Sequence, residues 1–118
     1  MIERVKGLYE GRSRASIYNG VIYTVGTDVD SSPTVAEQTQ RILRDLEAVL
    51  NSAGSGKNRI LQATVYLRDM STKAEMDAVW CEWIGPPENW PQRACIGTDL
   101  AEDDKVEIVL VAAVNESP

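Results

Sequence analysis

The chain has 118 residues, 18 acidic against 12 basic side chains, a formal charge of −6 and no histidine. That length fits a single domain, 1–118, with one core, and 43% hydrophobic with 25% charged residues is an ordinary globular balance. The acidic excess works against nucleic acid or an anionic membrane as a partner, and no apolar run approaches the roughly 18–20 residues of a membrane span. Two cysteines, Cys81 and Cys95, are too few for a disulfide framework. With no apolar leader in Met1–Lys6, a cytoplasmic location is expected, and the Asn115-Glu116-Ser117 sequon is discounted. The missing histidine removes Ser-His and Cys-His nucleophiles and the commonest metal ligand, and with two distant cysteines no zinc site of the usual kind is expected.

In chain order, residues 2–9 read as a first strand. Ala15–Tyr18 and Val21–Val25 are β-rich runs separated by Asn19-Gly20, a hairpin signal because a type I′ turn needs positive φ twice. A polar loop follows from Asp28 to Pro33. Thr34 with Glu37 forms a capping box, and Val35, Ile42, Leu43, Leu46, Val49 and Leu50 recur at helical spacing up to a left-handed Gly54. Ile60–Leu67 is a strand. Thr72 with Glu75 repeats the capping box ahead of a second helix carrying Met76, Val79, Trp80 and Trp83, whose tryptophans suit a core or an interface. After the stiff segment holding Pro86, Pro87 and Pro91 come a short strand, Arg93–Gly97, a turn at Leu100–Lys105 and a last strand, Val106–Val114.

The order β-β-β-α-β-α-β-β predicts an α+β domain, a mixed six-stranded sheet with two helices on one face. The last strand is apolar on both faces, as in strands covered on both sides. Two helices cover only one face, so the other is expected to meet copies of the same chain in a closed homo-oligomer.

Glu107 is the odd residue of that strand. An ionised carboxylate among Val109 and Val111 costs several kcal/mol unless paired. It reads either as half of a structural ion pair or at an exposed strand end, or as a proton-handling group whose pKa burial raises. Arg93 is its natural partner, with a planar fork suited to Glu107 or to a ligand's carboxylate. Cys95 shares Arg93's strand face and reads as a small buried hydrophobe. Gly54-Ser55-Gly56-Lys57 lacks the spacing of a phosphate loop and reads as a helix stop.

Several landmarks in this order and spacing resemble the reactive intermediate deaminase family (RidA/YjgF). They are Asn19–Gly26, Glu37-Gln38-Thr39, Ala53-Gly54-Ser55, Ile60–Met70, Pro91-Gln92-Arg93-Ala94 and Val106-Glu107-Ile108, and the likeness runs from about Gly11 to Val114. The resemblance implies a chorismate-mutase-like homotrimer with ligand clefts between subunits and no cofactor. It implies hydrolysis of enamines or imines such as 2-aminoacrylate to a 2-keto acid and ammonia. Arg93 would bind the substrate carboxylate and Glu107 would activate water, with groups near Cys95 and Gly26 helping to hold the ligand. Arg12-Ser13-Arg14 stands where active members often have tyrosine, a pattern similar to the YoaB-like branch, and puts Arg12 at the cleft mouth. Asp77 replaces an asparagine, and Val25 a serine. The alternative is a noncatalytic trimer that binds a small carboxylate metabolite as a sensor or partner protein. A nuclease activity, attached to some relatives, is disfavoured by the acidic charge and absent histidine.

Overall fold

The structure, a computed structural model, describes residues 1–115, so the Asn115 sequon runs past its last described position. Six strands, β1 (Glu3–Val5), β2 (Ala15–Tyr18), β3 (Val21–Thr27), β4 (Ile60–Leu67), β5 (Gln92–Gly97) and β6 (Val106–Ala113), form one sheet in the order β1-β2-β3-β6-β4-β5. All neighbours are antiparallel except β4 and β5. Helices α1 (Val35–Ser52) and α2 (Lys73–Ile84) complete the expected α+β layering. Among the described residues no helix is long and apolar enough to cross a membrane.

The hairpin joining β2 to β3 turns at Asn19 and Gly20, whose φ values of 52° and 74° are the two positive angles a type I′ turn needs. Helix α1 starts at Thr34, whose hydroxyl accepts from the Glu37 amide; the Glu37 carboxylate answers to that hydroxyl rather than to the backbone. It ends in a Schellman arrangement. Gly54, at φ 78°, donates to the Asn51 carbonyl, and Ser55 donates to that of Leu50.

Two local expectations differ. The first strand pairs over only three residues, because Gly7 lies against the backbone of Arg12–Arg14 and the chain folds back there; a Cβ on Gly7 would sit 3.1 Å from the Arg14 nitrogen. The second capping box does not form. Thr72 makes no side-chain cap, and Glu75 instead accepts from the Ala36 amide in the first turn of α1. That carboxylate ties the two helices together and suits the positive end of α1.

The core lies between the helices and one sheet face. Along β6, Val106, Ile108, Leu110 and Ala112 are buried there beside Ile42, Leu43, Leu46 and Leu50 of α1 and Met76, Trp80 and Ile84 of α2. The alternate residues, Glu107, Val109, Val111 and Ala113, are only half-buried, on the face no helix covers. Tyr23 and Val25 of β3 share that open face at 52% and 38% exposure. The sheet is therefore apolar on both sides but covered on one.

Gly26 pairs with Ile108 and faces α1, where an added Cβ would lie 3.2 Å from the Leu46 side chain and 3.3 Å from Ile42. The substitution Gly26→Ala should therefore cost about 1–3 kcal/mol through overpacking, read as a lower urea midpoint at unchanged slope.

Candidate functional site

Strand pleating decides where the predicted site residues go, because successive side chains point to opposite faces. Arg93 pairs with Ala63 and Cys95 with Val65, both buried on the helix side, so Arg93 and Cys95 share that side at the β5 edge. Glu107 stands beside Thr27 and Tyr66 on the open face. With strands about 4.8 Å apart and about 3.3 Å per residue, two strands and three residues of register put their Cα atoms roughly 14 Å apart. The sheet itself lies between the two side chains. One chain alone cannot bring Arg93 and Glu107 to the same small ligand.

The partner expected for Arg93 is corrected accordingly. Its Nη2 donates to Asp77 Oδ1 at 2.5 Å, its guanidinium lies 5.4 Å from the Trp80 ring centroid, and Nη1 approaches Met76 Sδ at 3.6 Å. Helix α2 places Met76, Asp77 and Trp80 on the side facing β5, and Lys73 adds a second cation to Asp77 at 2.8 Å, one turn earlier. Burial alone would raise the Asp77 carboxyl, but hydrogen bonds from Lys73 and Arg93 and their charges outweigh it and hold its pKa below the usual range. Arg93 is thus held against α2, with 17% of its side chain exposed. The Lys73–Asp77 spacing of four was the signal in the sequence that this carboxylate had cationic neighbours.

Glu107 has no cation within ion-pair distance among the described residues. Burial first, and the nearby negative charge of Asp104 second, push its pKa above the ordinary glutamate value. Asp104 is itself raised by burial and by Glu102. The environment therefore makes Glu107 a stronger base than a solvated glutamate. Of the other residues singled out, Cys95 packs partly buried against the core. Gly26 offers only backbone, since its missing side chain is required by α1.

Arg12 borders a groove of about 670 Å³ on the open face, together with Arg4, Arg14, Tyr23, Val25 and Val109. Val109 lies two residues from Glu107 on the same face of β6, so the groove and the carboxylate are neighbours. Arg4 was not foreseen, because its place beside Ser16 follows from the short β1–β2 pairing. Among the described residues no group of three or more histidine, cysteine, aspartate or glutamate side chains could hold a metal ion.

The raised pKa of Glu107 fixes the sign of a pH effect. The folded chain holds this proton more tightly than the unfolded chain, so stability declines as pH rises from about 4.5 through the folded-state titration. Glu107→Gln should accordingly raise the melting temperature at pH 7 and leave it unchanged near pH 3.5, measured by thermal unfolding at both values.

Residues 10–114 match the family model described as Endoribonuclease L-PSP. A RutC family protein of Haemophilus ducreyi is 43% identical over 105 residues, covering 87% of this chain and 89% of the relative. The RutC family protein YoaB of Escherichia coli K12 is 35% identical over 99 residues, covering 83% and 86%. Among solved structures, a YjgF-family protein from Neisseria meningitidis superposes with a TM-score of 0.91 at 35% identity, covering 99% of this chain and 98% of that one. With residues 10–114 matched by the family model and relatives of 35–43% identity aligned over most of the length, the chain belongs to the endoribonuclease L-PSP family, the RutC/YjgF proteins.

Proposed function

We propose that this protein is a hydrolytic deaminase of reactive enamine or imine intermediates derived from amino acids, yielding a 2-keto acid and ammonia. The observation that carries the reading is Glu107, a carboxylate with no cation beside it among the described residues, raised in pKa and set on a half-open apolar sheet face. A fold that needed only stability would place an aliphatic residue there, as it does at Val109 and Val111.

The working unit is a homotrimer. Its clefts combine Arg93 and Cys95 at the β5 edge of one copy with Glu107, the Gly26 backbone and Arg12 on the open face of the next. Two features support a shared cleft: Arg93 and Glu107 stand on opposite sheet faces, and the open face is apolar and uncovered. Arg93 holds the substrate carboxylate. An enamine first takes a proton at its terminal carbon and becomes the iminium. Water then adds to the iminium carbon while Glu107 accepts one of its protons. Glu107 returns that proton to the nitrogen of the resulting carbinolamine, the C–N bond breaks, and ammonia leaves as Glu107 takes the hydroxyl proton and the C=O bond forms; that proton passes to the departing ammonia, which is released as ammonium. Positioning plus one general base is sufficient chemistry for so reactive an electrophile.

A second reading rests on a specific observation: Asp77 already occupies the Arg93 fork. A site whose anchor is internally neutralised suits reversible binding of a small carboxylate metabolite by a noncatalytic trimer. RNA cleavage, which the family's name suggests, is poorly served by a chain of net charge −6 with no histidine.

The test is release of pyruvate from enzymatically generated 2-aminoacrylate. The purified protein should accelerate it, Glu107→Gln should lower kcat by about 10²-fold or more, and Arg93→Ala should chiefly raise KM. At substrate concentrations well below the raised KM, Arg93→Ala and Glu107→Ala should each be slow alone. Mixing Arg93→Ala with Glu107→Ala chains under subunit exchange should restore part of the activity, because some clefts then receive both native residues. No recovery in verified mixed oligomers would rule out the shared cleft, and binding of pyruvate without turnover of any imine would favour the noncatalytic reading.

A further inference from the structure

The groove on the open face holds three guanidinium groups that the proposed chemistry does not use in full. Arg4 Nη1 donates to Ser16 Oγ at 3.0 Å. Arg12 lies 4.7 Å over the Tyr9 ring and donates to the Glu10 carbonyl at 3.3 Å. Arg14 has its Nε buried with no hydrogen-bond partner. Among the described residues none of the three has a carboxylate within ion-pair distance, and no acidic side chain lines the groove. In a chain of 18 acids and 12 bases, one depression thus gathers three arginines with no carboxylate beside them among the described residues. Five donors per guanidinium, most of them uncommitted, suit an oxyanion ligand.

The position of the groove relates it to the reacting carbon. Val25 pairs with Val109, and the next open-face pair along the same two strands is Thr27 with Glu107. That step is about 7 Å, a span bridged by a few carbons of ligand and the reach of an arginine. We propose, resting on the deaminase reading, that the preferred substrate is the imine of an amino acid bearing a second anion on its side chain. Its α-carboxylate lies on Arg93 of one copy, its iminium carbon at Glu107, and its second anionic group, carboxylate or phosphate, on Arg14 and Arg12 with Arg4 behind them. Hydrolysis is as written above: water adds to C=N, ammonia leaves, and the second anion takes no part in bond making.

Unreactive probes separate the second group from the chemistry. Propanoate, succinate and 3-phosphonopropanoate share a three-carbon frame and differ at one end. In calorimetric titrations at constant ionic strength, one of the two dianions should bind at least 10-fold more tightly than propanoate, and the favoured one identifies carboxylate or phosphate as the natural group. Arg14→Gln should bring the dianion-to-propanoate ratio close to one, and Arg14→Lys, which keeps charge but loses the fork, should leave an intermediate ratio. In parallel, hydrolysis of iminosuccinate, formed from aspartate by a flavin oxidase, should exceed that of 2-iminopropanoate in kcat/KM.

Equal binding of all three probes, or a ratio insensitive to Arg14, overturns the proposal while imine hydrolysis still supports the deaminase. A dianion preference that depends on Arg14, with neither imine hydrolysed, upholds the anion site and refutes the deaminase. A change in oligomer mass on Arg14→Gln, read by light scattering, overturns the proposal by making the groove a contact between copies.

Discussion

The two-residue repeat of a β-strand is the constraint from which the rest of this molecule follows. Strand β6 lies between β3 and β4 and presents Val106, Ile108, Leu110 and Ala112 to the helices. The same repeat obliges Glu107, Val109 and Val111 to face away from them. A shift of one residue would bury the carboxylate under α1 and expose the core, so the register is held by a large hydrophobic penalty. Glu107 is thereby committed to a surface that is apolar yet uncovered. The same rule applied to β5 commits Arg93 to the other side. Any chemistry that uses both has to be assembled from more than one chain, and the uncovered face has the apolar character to assemble it.

Much of the fold was legible because local signals were strong and agreed with one another. Asn19-Gly20, the Thr34–Glu37 pair, Gly54 and the apolar stripe of α1 each name one backbone conformation, and the structure adopts them. Misreadings occurred where a long-range contact outcompeted a local one. Glu75 had the spacing to cap its own helix, but the Ala36 amide of α1 was a better partner. The residues after Val5 had strand composition, but Gly7 lets the chain cross closely over Arg12–Arg14 instead. Glu107 was identifiable because a charge inside an apolar strand is costly and therefore informative. The partner of Arg93 was not, since attraction between opposite charges does not say which of many acids lies nearest after folding.

The two titratable centres are tuned in opposite directions by the same two influences. At Asp77, Lys73 and Arg93 overcome burial and keep the carboxylate ionised; at Glu107, burial and a like charge both favour the proton. One environment keeps a carboxylate charged beside two cations, and the other favours its protonated form. Any anion that approached Arg93 would have to share the guanidinium with Asp77. Trp80, with its ring centroid 5.4 Å from the guanidinium, further restrains Arg93.

The turn that carries Asp104 is held from two directions. Arg68 donates to the carbonyls of Leu100, Ala101, Glu102 and Asp104, while the buried Gln38 amide donates to Asp103 and Ser32 and accepts from the Lys105 amide. These groups touch no part of the groove. Yet they set how near one negative charge stands to another, and so govern the proton affinity of the acid on β6 from a distance. Sequence drift at Gln38 or Arg68 would be felt as a displaced acidity, in a protein whose working surface was otherwise untouched.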